Sequence, residues 1–439
     1  MIEYLSNKMM KLLNILIVFW GALTVLHAQV PVPAGEQSQP FLLKGGTAHL
    51  GNGQVIENSV VGFDKGKLTI VGKDATGVNE SDYEVIDVSG KHIYPGLILP
   101  NTQLGISEVS AVRAMNDAGE AGLFNPNVRS QIAYNTDSEN IPAFRFNGIL
   151  LAEPTPTGGV VSGTSSVMEL DGWNWEDATH TADVAIHMNW PAKMSPRFDY
   201  NTFTVSWEQN KDYDKAVIEI EQFFDEAVSY GTISGPEKNL KLEAMQGLFK
   251  GDKTLVLHCN DARALVEGIK IIRSKGVENV AVFGGQDVLH IAGFLANNNV
   301  AVVLPSVHET PDREDLDYDL PYKIGAELSK AGVKVSLSHT GMLGNARNLP
   351  FYAGTLVAHG MEKEEALKTI TLNTAQVLGI DKRVGSLEVG KDATLFVSEG
   401  DALDMRTNIL IHTFISGKKT TLDGRQQWLY KKYSDKYGH

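Results

Sequence analysis

Two side-chain amides follow an apolar stretch near residue 100. The segment "YPGLILPNTQLG" predicts a buried strand, "GLIL", that ends in a polar turn carrying Asn101 and Gln103. Residues two apart on a strand point to the same side, so both amides can face one site. An amide oxygen can bind a hard cation, but it competes poorly with imidazole for Zn²⁺. An amide also accepts no proton, so these two residues alone supply neither a strong zinc site nor a base.

Two histidines stand at the ends of other predicted strands. His258 ends "TLVLH", and His339 lies in "VSLSHTG". Together with an amide oxygen and water they could form a two-histidine metal site, although a catalytic zinc usually has three protein ligands. The alternative is that His258 faces the ligand site and is hydrogen-bonded to its neighbours. Cys259 points to the opposite side of its strand, so it forms no dyad with His258 and is predicted to be a small packed side chain.

Composition narrows the class of protein. The chain has 439 residues, of which 43% are hydrophobic and 21% charged, a balance typical of a globular protein. The net charge of −14 and the lack of a basic run disfavour nucleic acid and anionic membranes as partners. Cys259 is the single cysteine, so no disulfide can form within the chain.

The amino terminus has the pattern of an export signal. Lys8 and Lys11 precede the apolar run "LLNILIVFWGALTVL", and Ala28 offers a small residue at a cleavage position. The run is shorter than the roughly 20 residues that a membrane-spanning helix needs. We therefore expect residues 1–28 to be a signal peptide and the protein to be periplasmic or secreted, with no membrane contact after its removal. The alternative is a retained membrane anchor.

The remaining chain predicts two architectural parts. Short strands and turns fill residues 29–95 and return in residues 381–439, which suggests one small β-sandwich built from both chain ends. Between them, strand and helix patterns alternate four times within about 130 residues, with one helix expected over "DARALVEGIKIIRSKG". Residues 96–380 therefore suit a (β/α)8 TIM barrel with insertions. An open doubly wound sheet is the rival, disfavoured because no G-x-G-x-x-G follows a first strand.

Residues 105–250 are less regular. We expect loops in "EPTPTGGVVSGTSS" and "HMNWPAKMSPRFDYNTFT", and a long acidic loop in "HETPDREDLDYD" at the catalytic face of the barrel. The last segment resembles a zinc-binding helix motif only superficially, because it lacks the second histidine and contains Pro311.

Several phrases resemble the metal-dependent amidohydrolase superfamily, and its imidazolonepropionase-like branch in particular. They are "IYPGLILPNTQLG", "LVLHCND", "PTGGVVSGTSSVMELDGW" and, as the most specific, "ALKTITLNTAQVLGI" followed by "VGSLEVGKDATLFV". The resemblance covers about residues 40–425. It implies a (β/α)8 barrel with a β-sandwich, and hydrolysis of C–N bonds other than peptide bonds with one or two divalent metals such as zinc.

Most of the metal ligands that the resemblance implies are replaced here. The family's first strand ends in H-x-H, and alignment places Asn101 and Gln103 at these positions. His258 matches the next histidine, whereas Gly284 stands where a further histidine is usual. His339 or Thr340 falls at the position of the metal-binding aspartate. Asn101, Gln103, His258, Gly284, His339 and Thr340 are thus the predicted pocket, with only His258 and His339 left as candidate metal ligands.

Two hypotheses of function follow. In the first, this exported protein hydrolyses non-peptide C–N bonds with one weakly held metal or with none. In the second, it is a pseudoenzyme that binds a small amide-like ligand or pairs with an active amidohydrolase paralogue. The count of replaced ligands favours the second, because no other group is expected to lower the pKa of an attacking water. A homo-oligomer is compatible with either hypothesis.

Overall fold

Strands from both ends of the chain build one sheet in this computed structural model, which describes residues 32–74 and 78–438. The eight strands are β1 (Phe41–His49), β2 (Val55–Asp64), β3 (Lys67–Gly72), β4 (Glu84–Asp87), β5 (His92–Pro95), β16 (Leu395–Ser398), β17 (Leu410–Ile415) and β18 (Lys418–Thr420). Their order is β18-β17-β16-β5-β1-β2-β3, and β4 also pairs with β1. The predicted β structure from both chain ends is therefore confirmed.

This sheet folds over onto itself. Phe63 of β2 and Phe414 of β17 lie four strand positions apart in the sheet, yet their ring centroids are 4.9 Å apart. In a flat sheet that separation would be about 19 Å, since neighbouring strands are about 4.8 Å apart. Phe41 of β1 contacts both rings, at 5.3 and 5.2 Å. The three aromatic side chains thus form the centre of a sandwich-like core.

A second eight-stranded sheet forms a nearly closed barrel. Its strands are β6 (Leu97–Thr102), β7 (Ile149–Pro154), β8 (Val161–Glu169), β9 (Thr179–Asn189), β12 (Thr254–His258), β13 (Val280–Phe283), β14 (Ala301–Leu304) and β15 (Val335–Leu337). They follow one another around the barrel in chain order. β8 runs antiparallel to both of its neighbours, whereas the other pairs are parallel. The predicted TIM-barrel fold is confirmed, with one reversed strand.

A short backbone segment joins the two edge strands of the barrel. Ile98 N–H of β6 donates to Ile370 O at 2.9 Å, and Leu337 N–H of β15 donates to Thr369 O at 3.0 Å. These two carbonyls lie where the phrase "ALKTITLNTAQVLG" breaks between two helices. Satisfying both edge strands in this way leaves fewer unpaired backbone groups, which are costly when buried.

Ten α-helices surround or follow these sheets in the described residues. They are α1 (Ile141–Arg145), α2 (Tyr213–Thr232), α3 (Leu240–Phe249), α4 (Ala262–Ser274), α5 (Ala292–Asn297), α6 (Leu320–Lys330), α7 (Leu349–Ala358), α8 (Lys363–Lys368), α9 (Leu372–Val377) and α10 (Arg425–Tyr437). Helix α4 confirms the prediction made for its phrase: Asp261 caps it by accepting from the N–H groups of Arg263 and Ala264. Leu265, Ile269 and Ile272 face the core.

The expectation of loops in residues 105–250 is wrong in two places. "VSGTSS" belongs to β8, and "HMN" ends β9. The phrase "MSPRFDYNTFT" forms most of a β-hairpin, β10 (Met194–Asp199) and β11 (Thr204–Gln209), which pair only with each other in the described residues. The strand β8 was not predicted because it is rich in glycine and serine. Its residues are buried by neighbouring elements. The acidic segment 308–319 is a loop, as predicted.

Two further findings concern the chain ends. Residues 33–422 form one compact unit, and α10 belongs to a second unit in which it buries none of its residues. No helix among the described residues has the length and apolarity needed to cross a membrane. The predicted signal peptide, residues 1–28, lies outside the described residues.

Candidate ligand site at the barrel mouth

A buried glutamate organises the mouth of the barrel. Glu153 lies near the end of β7 and is 1% exposed. One carboxyl oxygen, Oε2, accepts from Asn101 N–H at 2.9 Å. The other, Oε1, accepts from Ser165 Oγ at 2.6 Å and lies 3.0 Å from His187 Nε2. Because both oxygens act as acceptors, we assign Glu153 as a carboxylate whose charge is met by three donors.

The hydrogen-bond chain continues from this carboxylate to the strand end of β12. His187 of β9 is 1% exposed, and its Nδ1 lies 2.9 Å from His258 Nε2. With Glu153 assigned as the acceptor, His187 donates through Nε2–H, and a neutral His187 then accepts at Nδ1. His258 therefore donates through Nε2–H. Glu153, His187 and His258 form one continuous chain, which we call the mouth chain.

His258 is the end of the mouth chain whose second ring nitrogen has no partner in the part of the protein that the structure describes. Its Nδ1 is not enclosed and has no hydrogen-bond partner among the described residues. Burial of the ring, and then the neighbouring His187, hold the pKa of His258 well below its usual value. The ring also packs on Phe283, with centroids 4.8 Å apart. At neutral pH the mouth thus presents an uncharged imidazole with one open acceptor nitrogen.

The two amides do not share the regular strand geometry that the sequence predicted. Leu99 and Thr102 pair with β7 residues that are two apart, so β6 has one extra residue there and forms a bulge. Asn101 lies in the bulge with φ +49°, and Gln103 follows the last residue of β6. Alternation along a strand is reset by a bulge, so the regular i, i+2 geometry predicted for Asn101 and Gln103 is absent.

Gly284, directly after β13, has no room for a ligand side chain. A Cβ atom there would lie 2.8 Å from Val288 Cγ1 and 2.9 Å from Cys259 O. Any larger residue would require backbone movement. Cys259 itself is buried, as predicted, and burial raises the pKa of its thiol to about 11.

His339 and Thr340 have different surroundings. His339 stacks on Tyr352, with centroids 5.3 Å and planes 19° apart. Both of its nitrogens are enclosed, and neither has a hydrogen-bond partner among the described residues. Burial, and then His308, lower the pKa of His339. Thr340 is exposed and is held through its backbone N–H, which donates to Pro305 O at 2.7 Å.

Comparison with known proteins shows similarity to amidohydrolases. The model described as "Amidohydrolase family" matches residues 326–420. Imidazolonepropionase from Geobacillus sp. (strain WCH70) is 22% identical over 405 residues, covering 84% of this chain and 89% of that relative. Its counterpart from Geobacillus kaustophilus (strain HTA426) is 24% identical over 404 residues, with the same coverage. Over most of its length the chain is thus similar to imidazolonepropionases and, in residues 326–420, to the amidohydrolase family.

Solved structures agree with this fold. An amidohydrolase from Thermotoga maritima MSB8 superimposes with a TM-score of 0.73 at 21% identity, covering 87% of this chain and 99% of that one. A prolidase complexed with N-methylphosphonate-L-proline gives a TM-score of 0.52 at 14% identity, covering 87% of this chain and all of that one.

Amidohydrolases commonly use a divalent metal, but the residues of this mouth do not suit one. Among the described residues no group of three or more His, Cys, Asp or Glu side chains is arranged to hold an ion. Two nitrogens bound to one tetrahedral zinc would lie about 3.3 Å apart, from bond lengths of about 2.0–2.1 Å. His187 Nδ1 and His258 Nε2 are 2.9 Å apart, a hydrogen-bond distance. The donor atoms are therefore directed at one another.

Glu153, Ser165 and His187 were not predicted as site residues from the sequence. Each lies in the region that was expected to be irregular. Two signals were present: "GILLAE" ends an apolar run with a carboxylate, and "VAIH" ends one with a histidine. Both have the same form as "TLVLH", which led correctly to a strand ending at His258.

Proposed function

We propose that the barrel mouth binds a small, uncharged, amide-like ligand, and that this amidohydrolase-like chain has lost the metal-dependent reaction of its family. The observation that carries the proposal is the mouth chain, in which Glu153, His187 and His258 satisfy one another. Such a chain fixes the proton positions of buried polar groups and leaves one acceptor at the surface of the mouth.

The chemistry of the ligand follows from that acceptor and its surroundings. His258 Nδ1 accepts a hydrogen bond, so the ligand carries an N–H or O–H donor. Phe283 lies against the imidazole and favours a flat ligand. The half-buried amides of Asn101 and Gln103 can both donate and accept, which complements a lactam, imide or urea group. The neutral state of His258 gives no electrostatic preference for an anion.

A thermal-shift screen with hydantoin, succinimide, dihydrouracil and a set of N-acyl amino acid amides tests this proposal. A ligand that binds only the folded protein at 100 times its Kd stabilises it by about 2.7 kcal/mol. We expect at least one cyclic amide to raise Tm, and His258→Phe to abolish the shift. His412→Phe, which changes a half-buried histidine in β17, is the matched control and should keep it. No shift with any probe, or an equal shift in His258→Phe, would reject the proposed site.

The mouth chain also favours a second candidate, metal-free hydrolysis of a non-peptide C–N bond. His258 Nδ1 would take a proton from water as the water oxygen bonds to the carbonyl carbon. The C–N bond would then break, and the proton would pass to the leaving nitrogen. Product formation from a cyclic amide that survives exhaustive chelation and is lost in His258→Phe would favour this candidate over binding alone.

We also propose that the protein works outside the cytoplasm, which detection of mature protein in the periplasm or medium would test.

A further inference from the structure

The hairpin β10–β11 has one apolar face that nothing in the described chain covers. Residues that pair directly across the hairpin share a face, so Phe198 and Val205 lie together. Trp207, two residues beyond Val205, and Met194, four residues before Phe198, lie on the same face. These four side chains are 37–59% exposed. At the tip, Tyr200 and Phe203 contact Phe198, at 4.9 and 6.1 Å, and extend the surface.

The opposite face is polar. Arg197 and Ser206 pair directly across the hairpin, as do Asp199 and Thr204. Arg197 Nη1 also lies 2.9 Å from a carboxyl oxygen of Glu208. The alternation of polar and apolar residues in both strands is typical of a ribbon with one face in water and one face packed.

The hairpin projects from the rim of the ligand site. Trp190 N–H donates to His258 O at 3.1 Å, and Lys193 N–H donates to Asp261 Oδ2 at 2.9 Å. A backbone hydrogen bond from Asn210 N–H to Lys193 O, 2.9 Å long, closes the base of the ribbon. The base is thus anchored beside the mouth chain, whereas both strands beyond it are exposed.

We propose that the apolar face of this hairpin packs against the same face of a second copy of this chain, forming a two-fold symmetric dimer. An isolated two-stranded ribbon is marginal in water, so the hairpin needs a partner that is present whenever the chain folds. A second copy meets this requirement. The described side chains of the apolar face carry no charge that would select a foreign partner, and a two-fold axis makes an uncharged face complementary to itself.

The size of the face suits such an interface. With the exposed fractions of Met194, Phe198, Tyr200, Phe203, Val205 and Trp207, it presents on the order of 700 Å² of side-chain surface, from typical aromatic side-chain areas. Stable interfaces bury about 800 Å² per partner. Two ribbons packed face to face at the usual sheet separation of about 10 Å would cover most of it.

Sedimentation of the purified protein between 1 and 100 µM tests the dimer. We expect the wild type to be dimeric across most of this range and Trp207→Ser to be mainly monomeric, with the dissociation constant of the dimer raised at least 100-fold. Trp173→Ser is the matched control, because Trp173 is 67% exposed and lies outside the hairpin. It should remain dimeric.

A second variant distinguishes loss of the dimer interface from misfolding of Trp207→Ser. Replacing residues 194–209 by two glycines keeps the closing pair Lys193 and Asn210, and it should give a folded monomer with the wild-type circular dichroism of the barrel. A monomeric wild type at 100 µM overturns the proposal, as does a dimer that persists in both hairpin variants. A monomer that instead binds phosphatidylcholine vesicles or only a paralogous chain also overturns it.

Discussion

The described residues contain two Glu–His–His chains, which differ in their position in the fold and in how completely their polar atoms are paired. In the mouth chain both oxygens of Glu153 have donors. In the second, which we call the joint chain, Glu364 of α8 lies 2.7 Å from His49 Nδ1, and His49 Nε2 lies 3.0 Å from His92 Nδ1. The joint chain connects a barrel helix to strands β1 and β5 of the terminal sheet. The second oxygen of Glu364 is enclosed and has no partner among the described residues.

The packing around the two chains differs as well. His49 of the joint chain stacks on Tyr94 at 4.4 Å with nearly parallel planes, and Tyr94 stacks on Phe396. These rings lie on the neighbouring strands β1, β5 and β16 of the terminal sheet, and Glu364 connects them to helix α8. The mouth chain ends instead at the carboxyl end of a barrel strand, where ligands bind in this fold. The same three residue types therefore serve as a structural connection in one place and line the proposed ligand site in the other.

The largest difference between the chains should appear when each glutamate is removed. Glu153→Leu leaves three buried donors without their acceptor and should lower the free energy of unfolding by about 3–5 kcal/mol. Glu364→Leu loses one hydrogen bond but also removes an enclosed, unpaired oxygen, so we expect a loss of about 1–2 kcal/mol. Urea denaturation followed by circular dichroism measures both. Equal losses would show that complete pairing of Glu153 is not what stabilises the mouth chain.

The pH dependence of stability should differ between variants of the histidines that end the two chains, His258 and His92. The pKa of His258 is lowered by burial and then by His187, so the unfolded state binds more protons at and below pH 6.5. Stability therefore falls as pH drops below about 6.5, with a slope of up to about 1.4 kcal/mol per pH unit from this group. The lowered pKa of His92 acts in the same direction.

Denaturation midpoints at pH 7.5, 6.5 and 5.5 measure this dependence. His258→Phe should flatten the acid limb more than His92→Phe does, because His258 is held further below its usual value. A steeper limb in His258→Phe than in the wild type would contradict the neutral state assigned to the mouth chain.

The smallest effect is expected when the family's first-strand histidines are restored. Asn101→His with Gln103→His replaces both amides, but Asn101 lies in a bulge at φ +49° and Gln103 lies beyond the strand. We expect the affinity for Zn²⁺, measured by calorimetry, to change less than threefold. His49→Ala in the joint chain should likewise change the affinity for Zn²⁺ less than threefold. Micromolar zinc binding created by the double variant would mean that the bulge does not prevent a shared site.

The fold was predictable from the sequence because its signals are local. The apolar strands and the amphipathic helix α4 follow from periodicity, and β structure recurs at both chain ends. β8 was hidden because a strand rich in glycine and serine takes its stability from neighbours rather than from propensity. Helices α8 and α9 are separated at residues 369–371, where the carbonyls of Thr369 and Ile370 accept from the edge strands of the barrel, a tertiary effect.

The candidate site was only partly predictable. His258 was identified because it ends an unmistakable apolar strand, and the replaced residues at 101 and 103 were visible from the family phrase. The mouth chain joins residues 34 and 71 positions apart, from β7 to β9 and from β9 to β12. Such contacts arise from strand order around the barrel, and a single sequence carries no pattern for them.

Elemental analysis of the purified protein tests the central claim, that the mouth chain occupies the place of a metal centre. The protein should be dialysed with and without excess Zn²⁺, then desalted and analysed for Zn, Mn, Fe, Co and Ni. We predict well under one equivalent of any of these metals per chain in both samples, because the mouth nitrogens are hydrogen-bonded to each other at 2.9 Å. One or more tightly held equivalents that are lost in His258→Phe but retained in His92→Phe would contradict the account.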